Sequence, residues 1–403
     1  MSDYSKLINQ LAKQLYDGKL LPSDLNSDLL EKTLGDIRSG LSSGLGDSFL
    51  NYENNAVRNL SLNQNLYRFS GAKTYQELAK MNLFLKDKGS FQDFQKEALK
   101  INDQYNKSFL QAEFDTANRS GVMVDKWSKY EGQKDLYPNL QYKTANDSRV
   151  RQEHADLQDI IKPINDPFWM SWYPPNGFRC RCYVTQTDAE PTKGTPTIKP
   201  DAGFNNNVAL SNMVFDEGDH PYFVFPAADA KKIKESFENI KLSSPDYNIV
   251  YQTKKAKLEV STWADPNDIE LNYKYAKILV EKLGIDVKIR NHTDIPGITN
   301  PELEINGSTA DLKNIDSVKG ITNGFASAKK QMGMTKSNYS VVFSLDQLKK
   351  IKLEDITKQL ANKFNPTRGK NIKSVFFIKG GKAIELTREM ILKKDFKKLS
   401  GIL

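Results

Sequence analysis

The chain has little of what would fix a fold covalently or hold it in a bilayer. Two cysteines and three histidines occur in 403 residues, and the cysteines stand as Cys180-Arg181-Cys182, a spacing too tight to staple distant segments. A disulfide framework is therefore excluded as the organising device. No run of about 18 apolar residues occurs, and the opening "MSDYSKLINQLAKQLYDGKL" lacks an apolar core and a small-residue cleavage site. The expectation is a chain made and folded in the cytoplasm without a membrane anchor. Repeats with a period of roughly 20 to 50 residues are absent as well. Acidic residues are in deficit, with 58 Lys and Arg against 50 Asp and Glu, a formal net charge of +8 and a pI near 9.0. That balance suits a polyanionic partner but is modest for so long a chain.

What is present points to two or more domains, since 38% hydrophobic content over this length can bury separate cores. The N-terminal third reads as helical: Tyr4, Leu7, Ile8, Leu11 and Leu15 recur at helical spacing before Gly18, and "PSDLNSDLLEKTLGDI" offers cap residues before a new periodic run. A stripe of Phe94, Ala98, Ile101, Tyr105, Ser108 and Ala112 predicts a long helix from Ser90 that stops at Gly121. Between Tyr137 and Tyr222 the texture changes to strands, loops, prolines and aromatics. A Ser-Ser-Pro joint near Ser243 is placed as the main boundary, giving a helical region at 1–136, a mixed region at 137–243 and a separate domain at 244–403. In the last, a helix from Asp268 to Leu283 stopped by Gly284 is followed by "IDVKIR", a hairpin, and helices alternating with the strands "YSVVFSL", "IKSVFFIK" and "KAIEL". That order predicts an α/β domain with a mixed sheet.

The hairpin is the most specific local signal. In "NPELEINGSTADLK", Asn306-Gly307 between alternating residues calls for a type I′ turn. The register follows: Ile305 faces Ser308, Glu304 faces Thr309, Leu303 faces Ala310 and Glu302 faces Asp311. Pro301, Leu303, Ile305, Ala310 and Leu312 share the core face, and Glu302, Glu304, Thr309, Asp311 and Lys313 share the other. Directly opposed side chains have Cβ atoms roughly 5 Å apart, so Glu302 and Asp311 need a cation or a proton between them.

In the middle region, "NDSRVRQEHADLQDIIKPINDPFWMSWYPPNGFRCRCYVTQTD" combines Asp-Ser-Arg-x-Arg-x-x-His, an acidic-Pro-Phe-Trp, Tyr-Pro-Pro-Asn-Gly and Cys-Arg-Cys. Gln141 to Thr187 thereby resembles the Mu F-like head-morphogenesis family, minor capsid proteins of tailed phages. The resemblance implies an α+β domain behind a variable helical region, portal and head proteins as partners, and a place in the virion or procapsid after synthesis in the bacterial cytoplasm. His154, Cys180 and Cys182 offer an imidazole and two thiolates to a zinc ion, with His220 as a fourth ligand. The alternatives are a buried, metal-free arrangement and a His-Cys nucleophile pair. Arg149, Arg151, Arg179 and Arg181 form a solvated basic face by default and can alternatively meet acidic protein or DNA.

The C-terminal domain resembles a second group. Pro301-Glu302, eight intervening residues and Asp311-Leu312-Lys313 are similar to the motif of PD-(D/E)XK phosphodiesterases, with Glu302 or Glu304 in the first position where Asp is usual. The element order is similar to the tRNA-cleaving toxin domains of contact-dependent growth-inhibition proteins. That resemblance implies a restriction-endonuclease-like fold, a metal-dependent nuclease acting on RNA, tRNA first, and a cognate immunity protein. Two close carboxylates can hold Mg2+ or another divalent cation, and a lysine can donate to the attacking water or the developing phosphate charge. The candidate catalytic residues are Glu302, Asp311, Lys313, Gln331 and Glu270, with Glu302 and Asp311 as metal ligands. Lys330, Arg368 and Lys370 are candidate RNA contacts. A metal-independent, barnase-like RNase would depend on His292. A purely structural head protein would use neither set.

Overall fold

A computed structural model describes residues 3–85, 90–194, 198–332, 338–348, 351–365, 367 and 369–403. The chain folds as two compact units: unit 1 comprises Met1–Phe49 and Ser61–Phe237, and unit 2 comprises Leu50–Leu60 and Glu238–Leu403.

Unit 1 begins with helices α1 (Ser5–Tyr16), α2 (Ser27–Leu45), α3 (Ala56–Leu85, whose first residues belong to unit 2), α4 (Phe91–Asp103) and α5 (Leu110–Gly132). The stripe from Phe94 is helical as expected, but a π-helical turn at Gln104–Phe109 joins α4 to α5, and the helix runs past Gly121 to Gly132. Gly121 is not a stop signal. It lies where α5 crosses α2: a Cβ there would sit 2.6 Å from the Leu41 carbonyl, and one at Gly44 would sit 2.1 Å from the Asn118 carbonyl. Hydrogen in place of a methyl lets the two backbones touch.

Short elements complete the unit: β1 (Asn139–Lys143), α6 (Gln152–Ala155), β2 (Ile161–Pro163), α7 (Phe168–Trp172), β3 (Tyr183–Thr187) and α8 (Val208–Ser211). The strands form an antiparallel sheet in the order β2-β1-β3. Its core packs Trp127, Leu140, Tyr142, Trp169, Trp172, Tyr173 and both cysteines together.

Helix α9 (Ala227–Ser243) leads into unit 2, an eight-stranded mixed sheet. Its strands are β4 (Tyr247–Gln252), β5 (Lys257–Ser261), β6 (Val287–Ile289), β7 (Leu303–Ile305), β8 (Ser308–Asn314), β9 (Tyr339–Ser344), β10 (Ile372–Lys379) and β11 (Lys382–Thr387), in the spatial order β11-β10-β9-β8-β7-β6-β5-β4. Pairs β5/β6, β8/β9 and β9/β10 are parallel and the others antiparallel. Period-2 alternation sends Val342, Phe376 and Ile378 to one face with α10 (Ile269–Leu283), and Val341, Phe343, Val375 and Phe377 to the other with α11 (Lys319–Gln331) and α12 (Leu353–Lys363). Helices α13 (Arg388–Leu392) and α14 (Lys397–Ser400) close the chain. Strands β4 and β5 are additions to the expected order; a bulge between Ile249 and Tyr251 breaks the alternation that would have revealed β4. No described helix is long and apolar enough to cross a membrane.

Candidate functional site

Two polar clusters stand out, one in each unit. In unit 1, α6 delivers His154 and the loop into β3 delivers Cys180 and Cys182, and all three are buried. His154 Nδ1 lies 3.7 Å from Cys180 Sγ and 3.6 Å from Cys182 Sγ. The loop is held by Asn176, fully buried, which accepts a hydrogen bond from Tyr142 Oη at 2.9 Å and donates to the Ser171 carbonyl at 3.3 Å. Hydrogen bonding to Cys182 and then to His154 pulls the Cys180 thiol well below the usual range, and the same bond together with burial pushes Cys182 up. The pair therefore holds one negative charge more readily than two. Zinc bound to two thiolates and an imidazole tetrahedrally puts sulfur and nitrogen about 3.6 Å apart, so the donor set and its spacing fit that ion. His154 Nε2 is buried without a hydrogen-bond partner.

His220 is not a fourth ligand. The potential metal-binding group found among the described residues is His154, Cys180 and Cys182 alone. His220 Nδ1 instead accepts the Tyr222 backbone N–H at 3.2 Å, and its ring sits among Phe69, Phe178, Phe215 and Tyr222. Burial there pushes its imidazole down to about 4, as suits a neutral core histidine.

In unit 2 the hairpin forms as the sequence dictates. Asn306 and Gly307 have φ of 45° and 75°, and Leu303, Glu304 and Ile305 pair with Ala310, Thr309 and Ser308. Glu302 lies just ahead of β7, where its Oε2 accepts the Leu312 N–H at 3.1 Å. Asp311 on β8 is completely buried. Lys313 Nζ is 2.8 Å from Asp311 Oδ2 and 3.7 Å from Glu302 Oε1. The contact to Asp311 is an ion pair without hydrogen-bond alignment, because neither Asp311 oxygen has a hydrogen-bond partner. Burial, then Asp311, push the Glu302 carboxyl up to about 8. The raised Glu302 carboxyl keeps its proton near neutral pH, and the Asp311 oxygens, ion-paired but without hydrogen bonds, are of the type a hard divalent cation takes. Glu304 is instead 3.4 Å from Lys288.

Of the supporting residues, Gln331 lines a cleft of about 280 Å³ with Glu302, Asp265, Asp268, Asn272 and His292. Glu270 does not converge with them; it is exposed and lines another cleft with Glu53, Lys274 and Lys277. The first-helix carboxylate beside Glu302 is Asp268, raised by burial, then by Asp265 and Glu302. The predicted helix already begins at Asp268; taking the carboxylate at that cap position, two residues before Glu270, would have found it. Lys330 is exposed, whereas Lys370 lines a basic cleft of about 520 Å³ with Lys329, Lys363 and Tyr339. Burial, then Asp311, raise the Tyr339 hydroxyl. Arg368 lies outside the described residues.

Comparison with known proteins bears on unit 1. Residues 77–185 match the family model described as phage Mu protein F like protein, a span that contains His154, Cys180 and Cys182 but not His220. The chain is 36% identical over 76 residues, 19% of its length and 17% of the relative's, to "Putative capsid assembly protein F" of Escherichia phage Mu. It is 44% identical over 50 residues, 12% of each chain, to the Mu-like prophage FluMu F protein of Haemophilus influenzae. It thus spans less than a fifth of either relative's length. No solved structure matches it.

Proposed function

We propose that the chain joins a phage head-assembly protein to a nuclease toxin. Similarity of residues 77–185 to capsid assembly proteins supports the first part; portal and head proteins are its partners, and the virion or procapsid its place. The nuclease reading is carried by one observation: Asp311, fully buried, keeps both oxygens without hydrogen bonds beside Glu302 and Lys313.

Glu302 and Asp311 would hold a divalent cation, magnesium by default, which supplies Lewis acidity to the phosphate and a more acidic water. Lys313 donates to the attacking water or to charge developing on phosphate oxygens. Gln331 and Asp268 border the reacting group from the polar cleft, and Lys329, Lys363 and Lys370 track an RNA backbone in a salt-sensitive way. The resemblance to PD-(D/E)XK tRNases makes RNA, tRNA first, the substrate, with a restriction-endonuclease-like fold and an immunity protein over the cleft. In unit 1, His154, Cys180 and Cys182 would supply three ligands to a zinc ion, whose binding energy would add to folding energy.

A second reading is favoured by His292, which lines the Glu302 cleft with Asp265 3.6 Å from its Nδ1: general acid-base cleavage without a metal. Incubating the purified full chain with bulk tRNA decides. Cleavage that chelator stops and magnesium restores is the expected result; cleavage in excess chelator favours His292, and none leaves a structural head protein. Metal analysis of the same preparation should find about one zinc per chain, lost in the Cys180→Ser, Cys182→Ser double variant.

A further inference from the structure

A cavity of about 700 Å³ in unit 1 opens over the thiol–imidazole cluster and has five arginines on its wall: Arg119 from α5, Arg149 and Arg151 ahead of α6, and Arg179 and Arg181 from the cysteine loop. One acid, Asp115, shares that wall, and its carboxylate accepts from Gln111 at 2.9 Å. Three of the arginines are already engaged. Arg181 grips Asp147 with both guanidinium nitrogens at 2.6 Å, Arg149 approaches the same carboxylate at 3.5 Å, and Arg151 donates to the Phe178 carbonyl at 2.8 Å. Arg119 and Arg179 are exposed, and among the described residues neither has an ion-pair or hydrogen-bond partner.

Arg179 also adopts a φ of 60°. A left-handed backbone at a residue with a Cβ costs about 1 kcal/mol or more, and glycine or asparagine would occupy it more cheaply. A guanidinium is thus held over the cavity against local preference.

We infer that this pocket receives the carboxylates of an acidic segment of a partner protein. The recognition mode is already visible in the wall, where Arg181 and Asp147 form a two-pronged pair, the geometry that guanidinium and carboxylate planes share. Nucleic acid fits less well. Duplex DNA is met by cations spread along many phosphates, and this charge is gathered in a concavity. Single strands need free aromatic faces for their bases. The two aromatics on the wall are occupied: Phe178 packs edge-on against Phe204 at 5.0 Å and against His220 at 5.9 Å, and Phe114 lies against Gly40.

The test uses the full chain and a fluorescein-labelled octaglutamate peptide, followed by anisotropy at low salt. Saturable binding is expected, weakened about tenfold or more in the Arg119→Ala, Arg179→Ala double variant, which loses two charge-assisted contacts. Because both side chains are exposed, that variant keeps the parent's unfolding midpoint. Lys96→Ala with Lys100→Ala, two exposed lysines of α4 outside the pocket wall, binds the peptide as the parent does. Unlabelled octaglutamate displaces the probe, and a single- or double-stranded DNA oligomer of equal charge does so only at higher concentration. Undiminished binding by the double arginine variant, absence of saturable binding, or preferential displacement by DNA would each overturn the assignment.

Discussion

Each unit holds a lysine beside a buried acid, and the two pairs are satisfied to different degrees. In unit 1, Glu113 and Lys73 form a close, buried ion pair with further partners on both sides: Lys73 also donates to the Tyr105 carbonyl in the π turn at 2.8 Å, and Tyr222 Oη donates to Glu113 Oε1 at 3.1 Å. In unit 2, Asp311 is just as deep and has a lysine beside it, yet both its oxygens lack hydrogen bonds. A saturated buried charge specifies a structure, and an unsaturated one is stable only with a proton or an ion to share. The His154–Cys180–Cys182 cluster resembles Asp311 more than Glu113, since one imidazole nitrogen is unused and the thiols compete for a single proton.

The contrast can be broken most forcefully at Lys73. Lys73→Met leaves Glu113 buried without its counter-charge and should cost about 3–5 kcal/mol, read by denaturant unfolding and by hydrogen exchange concentrated in unit 1. A variant as stable as the parent would place both sites in one class. Asp311→Asn keeps the shape of the side chain, so unit 2 should stay folded and lose magnesium-dependent RNA cleavage by at least about a hundredfold, equivalent to ~2.7 kcal/mol of transition-state stabilisation. Full activity in that variant would return Glu302 and Asp311 to the status of a merely structural pair.

Smaller effects sharpen the comparison at the backbone. Gly44→Ala places a methyl 2.1 Å from a carbonyl oxygen between two helices, and Gly324→Ala places one 2.5 Å from the Phe343 ring where α11 lies on the sheet. Each should destabilise its own unit by about 1–3 kcal/mol. The ring can yield and the carbonyl cannot, so Gly44→Ala is expected to be the worse, and the reverse order in thermal melts would contradict that.

The mildest test is pH. Burial raises the Glu77 carboxyl from 4.5 to about 8, so the folded chain keeps a proton that the unfolded chain loses. Stability is therefore lost as pH rises from 4.5 to 8. His220 works in the other direction: its imidazole, lowered from 6.5 to about 4 by burial, stays neutral while the unfolded chain protonates, so stability is lost as pH falls between those values. Each slope is at most about 1.4 kcal/mol per pH unit. Glu77→Gln should reduce the alkaline slope, of which Glu302, also raised to about 8, keeps its share, and leave the acid side as it is; a profile unchanged by that substitution would contradict the assignment.

Local chemistry made much of unit 2 legible. Asn306-Gly307 needs no distant partner to favour its turn, Gly284 ends α10 in the left-handed conformation, and Gly380 and Gly381 both take positive φ between β10 and β11. The alternation around the hairpin then fixed the register and the face shared by Asp311 and Lys313. Glycine misled where it served contact between elements: Gly121 carries the same local signal as a helix stop, and only the α2 backbone beside it explains its place inside α5.

The amino-acid sequence by itself determined the turns, most helix and strand positions, the Cys-x-Cys loop with its histidine, and the carboxylate and lysine spacing of the hairpin, because each depends on residues a few positions apart. Tertiary structure alone decided which of these groups meet. It set Asp268 rather than Glu270 beside Glu302, sent His220 into an aromatic core away from the thiols, assigned Leu50–Leu60 to unit 2, and buried Asp311 without hydrogen bonds. Burial and electrostatic coupling are sums over atoms brought close by packing, and sequence spacing does not contain them.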